Sequence, residues 1–128
     1  MTEQTSKLEQ RINIKFKDQE LLKKSLIHKS HNNENNNEKL EFLGDRVLGL
    51  VLAKTLLKIY PNEKEGVIDK KFANLVNKKT CLLIAKKLEL KKFITTGGSY
   101  KGLSRSDDKI ISDGLEALLG AVFLDQAI

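Results

Sequence analysis

Five acidic side chains occur in two segments of the chain at the spacing of neighbours on a helix. Glu38, Glu41 and Asp45 are three and four residues apart, and Asp113 and Glu116 are three apart. Helical residues so spaced have Cβ atoms about 5–6 Å apart, and like charges there oppose helix formation. Two carboxylates about 5 Å apart repel by about 3 kcal/mol at an effective dielectric of about 20. Each segment therefore requires a cation, unless its acids are simply solvated on an exposed face.

Small residues beside both segments favour a site over a solvated surface. Gly44 lies inside a helical pattern, where glycine costs about 1 kcal/mol relative to alanine, so we expect a backbone or a ligand close to Asp45. The second segment also carries small residues: Gly114, Ala117, Gly120 and Ala121. If Gly44 and Gly49 pack against them, the two helices approach closely and their carboxylates converge.

The converging carboxylates would be Glu41, Asp45, Asp113 and Glu116. Four such groups around one small space either raise a pKa or bind a hard divalent cation. Because every ligand would be an oxygen, Mg²⁺ or Mn²⁺ is the expected ion.

The elements that must position these acids are helices, and the sequence predicts an all-α fold. A capping box at residues 6–9 predicts a short helix that ends near Asn13, and Asp18 is expected to cap a second helix. A polar loop at residues 31–37 precedes a central helix from about Glu38 to Ile59, before Pro61. We expect one buried stripe on this helix, formed by Leu40, Leu43, Val47 and Leu50.

Two more helices are predicted after Gly66, separated by a polar interruption at residues 77–79. Residues 95–102 are the most flexible segment by composition. A last helix is expected to begin at Ser106 or Asp107 and to carry the second acidic segment. No stretch alternates with the period of a strand, and no internal repeat occurs.

Composition limits the class of protein. The chain has 128 residues, a net charge of +6 and a pI of about 9.4, which predicts one domain and either a polyanionic partner or a lysine-rich, solubilising surface. Ten lysines and four acids lie between Glu63 and Lys101. The single cysteine, Cys81, is expected to be a small buried hydrophobe. No signal peptide and no apolar run of about 20 residues are apparent, so we expect a cytoplasmic protein without a membrane span.

The two acidic segments together resemble the ribonuclease III family. Glu-Lys-Leu-Glu-Phe-Leu-Gly-Asp at 38–45 is similar to the family signature, and Asp-Gly-Leu-Glu-Ala-Leu-Leu-Gly-Ala at 113–121 is similar to its second acidic motif. Further matches are His28-Lys29-Ser30, Tyr60-Pro61, Glu65-Gly66, Leu75-Val76 and Phe123-Leu124-Asp125. The resemblance implies that residues 1–128 form the all-helical endonuclease domain of that family.

The resemblance also implies roles for individual residues. Glu41, Asp45, Asp113 and Glu116 would hold catalytic Mg²⁺, with Asp45 and Glu116 the least replaceable and with Glu38 and Glu65 in support. The implied reaction is hydrolysis of double-stranded RNA to 5′-phosphate and 3′-hydroxyl ends, in the processing of ribosomal and messenger RNA. The implied assembly is a homodimer with one acidic site in each subunit. The chain is expected to be shortened after Ile128, because family members continue with another helix and a double-stranded-RNA-binding domain.

Several assignments remain open at this level. Glu65 either supports the site or is ordinary surface, and His28 either touches RNA or, as we favour, bonds within the fold. His31 is expected to be solvated. Phe42 would be buried in a subunit interface, or in the core of a monomer. Arg46, where the family often has a small residue, would pair with an acid or approach phosphate.

The alternative function is a non-catalytic relative that binds double-stranded RNA or associates with the ribosome. A helical interaction protein with incidental acids is a second alternative. The four intact carboxylates argue against the non-catalytic relative.

Overall fold

The computed structural model describes residues 3–97 and 107–126. Within these ranges the chain forms six α-helices and one short 3₁₀ helix. They are α1 (Glu3–Ile12), α2 (Gln19–Ser25), α3 (Glu38–Ile59), α4 (Glu65–Leu75), α5 (Lys78–Lys87), the 3₁₀ helix (Leu90–Phe93) and α6 (Asp108–Gln126). The predicted all-α fold is confirmed. The end of the segment predicted to be flexible, and the predicted helix start at Ser106, lie outside the described residues.

Most predicted helix boundaries agree with the structure. The Asp18 carboxylate caps α2 by accepting hydrogen bonds from the backbone N–H groups of Glu20 and Leu21, at 3.0 and 3.3 Å. The predicted capping box at residues 6–9 is wrong, because Ser6 lies inside α1, which already begins at Glu3. Glu3 forms an ion pair with Lys7 one turn later, at 3.7 Å, and an acid in the first turn favours this earlier start.

The most buried helix is α6. Every residue from 111 to 118 is buried, and α6 packs against α2, α3 and α5. A helix that is apolar or small on nearly all sides belongs in the interior, and α6 thus carries Asp113 and Glu116 into the core. Within the described ranges, no helix is long and apolar enough to cross a membrane.

The central helix α3 buries only part of its predicted stripe. Leu40 and Val47 are buried and Leu43 is half-buried, but the side chain of Leu50 is 66% exposed. At 3.6 residues per turn, Leu50 lies about 80° around the helix axis from Leu40. The prediction for Leu50 is therefore wrong because the apolar spacing drifts away from the face that α6 covers.

Asparagine side chains fix the loop that leads into α3. The Asn32 carboxamide oxygen accepts hydrogen bonds from the backbone N–H groups of residues 34 and 35 at 3.0 and 2.9 Å. Asn37 is buried and donates through Nδ2 to the carbonyl oxygen of Ser25 at 3.1 Å. Asn36 Oδ1 accepts from the N–H of Glu38 at 3.0 Å. The predicted polar loop is thus an ordered connection that sets where the first acidic residue of α3 begins.

Candidate active site

The two acidic helices cross in direct backbone contact. A Cβ added to Gly44 of α3 would collide with the carbonyl oxygen of Glu116 in α6, and a Cβ added to Gly120 would collide with the carbonyl oxygen of Leu40. Only glycine fits at these two positions. The expectation that small residues bring the helices together holds for this pair.

Gly49 does not take part in this crossing. A Cβ added there would lie 3.6 Å from the ring of Phe72 in α4, which is an ordinary contact distance. The expectation that Gly49 meets α6 is wrong, because five residues after Gly44 the helix presents the opposite side of its surface.

Carboxylates from both helices lie around the crossing. Asp113 and Glu116 are 8% and 2% exposed, Glu41 is half-buried and Asp45 is exposed. Glu41 and Asp113 line a cavity of about 400 Å³ together with His28, Lys29, Asn37, Glu38, Lys109 and Ile110. The sequence therefore indicated correctly that acids distant along the chain become neighbours.

Two lysines neutralise the buried pair of acids. The ammonium of Lys78, the first residue of α5, lies 2.6 Å from Asp113 Oδ1 and 2.5 Å from Glu116 Oε1. Lys109, one turn before Asp113 on α6, lies 2.6 Å from Asp113 Oδ2. Sequence reasoning missed both lysines. Lys78 lies in the predicted polar interruption, and only the packing of α5 against α6 brings it to these acids.

The carboxylates differ in acidity because their surroundings differ. Burial raises the pKa of Glu116, and its interaction with Asp45 adds to this, although Lys78 opposes the shift. Burial and the charge of Asp113 raise the pKa of Glu41. Burial also opposes ionisation of Asp113, but hydrogen bonds from Lys109 and Lys78 outweigh it and lower the pKa.

The donor set suits a hard divalent cation, since all four candidate ligands are carboxylates. Asp113 and Glu116 both raise the pKa of Glu41, and Asp45 raises the pKa of Glu116, which indicates that acids of α3 and α6 lie within electrostatic reach of one another. Within the described ranges, no three acidic, histidine or cysteine residues lie close enough together to form a ready metal-binding group.

The two acids proposed as supporting residues lie in different places. Glu38 is exposed and lines the same cavity as Glu41. Glu65 is the exposed first residue of α4 and lines a separate cavity of about 410 Å³ with Leu57 and Phe72. The single chain thus brings Glu38, but not Glu65, to the acidic cavity.

The histidine at the cavity edge is held within the fold. The backbone N–H of His28 donates to the carbonyl oxygen of Thr95 at 2.9 Å. Its Nδ1 accepts from the backbone N–H of Ser30 at 3.1 Å and lies 2.7 Å from the Ser30 hydroxyl. These bonds support the structural interpretation of His28. His31 is exposed, as expected.

Phe42 and Arg46 form an exposed pair on α3. The Phe42 side chain is 63% exposed, so its placement in the core of a monomer is wrong. The Arg46 guanidinium lies 3.9 Å from the centre of the Phe42 ring and 3.4 Å from Asp45 Oδ2. Arg46 therefore pairs with an acid of the site.

Cys81 is buried, as predicted, and burial raises its pKa.

Fold and site together define an all-α domain with an acidic centre where two helices cross. The family model described as Ribonuclease-III-like matches residues 18–128. The chain belongs to this ribonuclease-III-like family.

Individual relatives agree with this membership. The chain is 58% identical over 122 residues to ribonuclease 3 of Pelagibacter ubique, a match that covers 95% of this chain and 55% of the relative. It is 39% identical over 124 residues to ribonuclease 3 of a Sulfurovum strain, covering 96% and 56%. The chain thus spans about half the length of these curated relatives.

A solved structure has the same architecture. The nuclease domain of Campylobacter jejuni ribonuclease III superimposes with a TM-score of 0.84 at 38% identity, covering 98% of this chain and 86% of that chain. A second structure of that domain, described for flexibility in the region involved in dimer formation, gives a TM-score of 0.82 at 40% identity, covering 94% and 85%.

Proposed function

We propose that residues 1–128 form an endonuclease domain that hydrolyses phosphodiester bonds in double-stranded RNA with the help of a divalent cation. The products would carry 5′-phosphate and 3′-hydroxyl ends. The observation that carries this proposal is that acids of α3 and α6 are neighbours in two places. Glu41 lines one cavity with Asp113, and Asp45 interacts with Glu116. The relatives named ribonuclease 3 support it, since this chain is 58% identical to one of them.

Glu41, Asp45, Asp113 and Glu116 would hold Mg²⁺ or Mn²⁺. When bound there, such an ion lowers the pKa of its water and neutralises charge on the phosphate and on the departing oxygen. Asp45 and Glu116 would be the two least replaceable ligands. Glu38 would support the cluster from the cavity edge, and Glu65 would do so only if a second subunit brings its α4 near the site.

The basic surface would bind the RNA backbone. With a net charge of +6, the lysines of α4, α5 and the 3₁₀ helix would attract phosphates, and the affinity would fall as salt rises. The major groove of an RNA duplex is too deep and narrow for side chains to read. The domain would therefore recognise duplex shape, phosphates and 2′-hydroxyls more than base sequence.

The functional unit would be a homodimer. Exposed apolar side chains on α3 include Phe42, Leu50, Val51 and Leu57, and apolar surface of this kind favours association. The solved domain described for a region involved in dimer formation supports the same assembly. A two-fold pair would supply one acidic site for each strand of a duplex. The setting we propose is ribosomal and messenger RNA processing in the cytoplasm.

Cleavage of a long RNA duplex tests the proposal directly. We expect cuts with Mg²⁺ or Mn²⁺, none after chelation, and none in single-stranded RNA or in a DNA duplex of the same sequence. Ca²⁺ is a useful comparison, because its larger and looser coordination fills oxygen sites without demanding octahedral geometry. Binding of the duplex without cleavage under every metal condition would favour the non-catalytic alternative.

A further inference from the structure

Lys78 lies where the two acids of α6 face α5. Its ammonium contacts one oxygen of each acid, at 2.6 Å from Asp113 Oδ1 and 2.5 Å from Glu116 Oε1. The start of α5 is fixed by its N-cap, because Asn77 Oδ1 accepts a hydrogen bond from the N–H of Thr80 at 2.8 Å. One turn later, buried Cys81 anchors the same helix in the core. The backbone thus directs Lys78 to the acids.

Lys78 provides a counter-charge to Glu116 that solvent cannot provide. The side chain of Glu116 is only 3% exposed, and an ionised carboxylate so buried requires a counter-charge. The Lys78 ammonium supplies that counter-charge, because it donates hydrogen bonds to both acids. Lys109 does not replace it, because within the described ranges its ion pair is with Asp113 and not with Glu116.

Lys78 can also leave without disturbing the core. Its side chain is 56% exposed, so rotation of the long aliphatic stem would carry the ammonium into solvent. An ammonium and a divalent cation repel each other and would compete for the same oxygens of Asp113 and Glu116. These acids can therefore exchange one counter-charge for the other.

We propose that Lys78 is the built-in counter-ion of the metal-free site and that it leaves Asp113 and Glu116 when a divalent cation binds. This inference rests on the proposed function in taking those two acids as metal ligands. In the absence of metal, Lys78 balances the buried charge of Glu116 and so stabilises the crossing of α3 and α6. In exchange, it lowers the affinity of the site for metal, so the chain itself helps to set the metal concentration at which the site fills.

Titration of Lys78→Gln with Mn²⁺ and with Mg²⁺ in a calorimeter tests the exchange. We expect binding about 10-fold tighter than in the parent chain, which corresponds to about 1.4 kcal/mol. We also expect the variant to unfold at a lower temperature without metal and to recover more on adding it. Lys78→Arg keeps the charge, so its metal-free stability and its metal affinity should stay near those of the parent even if Lys78→Gln folds poorly.

Two charge-matched variants separate exchange from general repulsion. Lys79→Gln removes an exposed lysine from the next position of α5 and should leave metal affinity near that of the parent. Lys109→Gln frees one oxygen of Asp113 only, so its effect should be smaller than that of Lys78→Gln. Equal effects of all three variants would overturn the proposal by reducing it to net charge.

The remaining outcomes distinguish the counter-ion role of Lys78 from the existence of the metal site. If the parent binds metal and Lys78→Gln binds it equally or more weakly, the counter-ion role is rejected while the metal site stands. If neither the parent nor Lys78→Gln binds either metal, the metal site fails and this inference fails with it.

Discussion

Gly44 of α3 and Glu116 of α6 meet backbone to backbone, with the carbonyl oxygen of Glu116 in the space that a Cβ at Gly44 would occupy. Gly120 makes the reciprocal contact with the carbonyl oxygen of Leu40. The absence of a Cβ at Gly44 and Gly120 therefore sets how closely the two helices approach. It also sets the separation of the carboxylates that the helices carry. Packing and the geometry of the proposed site are consequences of the same contact.

Gly44→Ala should damage both stability and cleavage. The added methyl group meets a backbone carbonyl that cannot rotate away, so the helices must separate. We expect the free energy of unfolding to fall by about 3 kcal/mol, which is near the upper end of the range for overpacked cores. Gly49→Ala is the matched control on the same helix, because its Cβ has room beside Phe72. It should be neutral or stabilise α3 by up to about 1 kcal/mol. Urea unfolding of both variants measures the difference, and equal midpoints would contradict the close crossing.

Glu116→Gln should abolish most metal-dependent cleavage while the fold persists. Glutamine keeps the shape of the side chain but removes the charge that would hold a divalent cation. Loss of about 3 kcal/mol of the charge stabilisation that such an ion provides would slow cleavage about 100-fold. Single-turnover cleavage of an RNA duplex, with circular dichroism as the check on folding, measures this effect.

Glu20→Gln serves as the control for Glu116→Gln. Glu20 lies on α2, and its ion pair in the described ranges is with Lys23 on the same helix, at 3.4 Å. Its neutralisation should leave the cleavage rate near that of the parent. Cleavage by Glu116→Gln at the parent rate would reject Glu116 as a ligand.

Local patterns predicted much of the fold because they act within a few residues. Examples are the Asp18 cap, the extent of α3 and the location of the acids on helices. Each depends on side chains that lie close to the backbone groups they affect. The predicted helix start at Ser6 is wrong because the capping-box pattern also occurs inside a helix that begins one turn earlier, at Glu3.

Features that depend on packing between distant elements were harder to predict. No spacing in the sequence relates Lys78 to Asp113 and Glu116, since only the docking of α5 on α6 joins them. Leu50 and Phe42 are apolar yet exposed in the single chain. Hydrophobic periodicity alone cannot distinguish residues of the core from apolar residues on the surface. Where the structure differs from the sequence prediction, tertiary contacts rather than local propensity decide.

Phe42→Ala should weaken self-association without lowering the stability of the monomer. Aromatic anchors that lose their contacts typically cost a dimer about 2 kcal/mol, which raises the dissociation constant about 30-fold. Because the Phe42 side chain is 63% exposed in the single chain, its removal leaves no cavity there. Sedimentation across micromolar concentrations measures the effect. Leu124→Ala, at a side chain 58% exposed on α6, is the control, and a parent chain that sediments as a monomer would contradict the dimer.

Asp125 joins the end of α6 to the segment before α2, and this contact should make stability depend on acid pH. Its Oδ2 and Oδ1 accept hydrogen bonds from the backbone N–H groups of Lys17 and Asp18, both at 2.9 Å. The bond from Lys17, followed by that from Asp18, lowers the pKa of Asp125 below its ordinary value of 3.8. A carboxyl group whose pKa is lowered by folding stabilises the protein above its unfolded pKa, and this contribution disappears as the pH falls through the folded value.

Asp125→Asn should therefore lower the melting temperature by a few degrees at neutral pH, and the difference from the parent should shrink below the ordinary range of an aspartate. The carboxamide offers one oxygen where the carboxylate offers two, and its NH₂ group would face a backbone N–H donor. Asp69→Asn, on the exposed face of α4, changes the same charge without this contact and should show no such pH-dependent difference. Thermal unfolding of the parent and both variants from pH 7 down to about pH 3 follows the predicted convergence, and a constant gap between Asp125→Asn and the parent would mean that the carboxylate charge is not what secures α6.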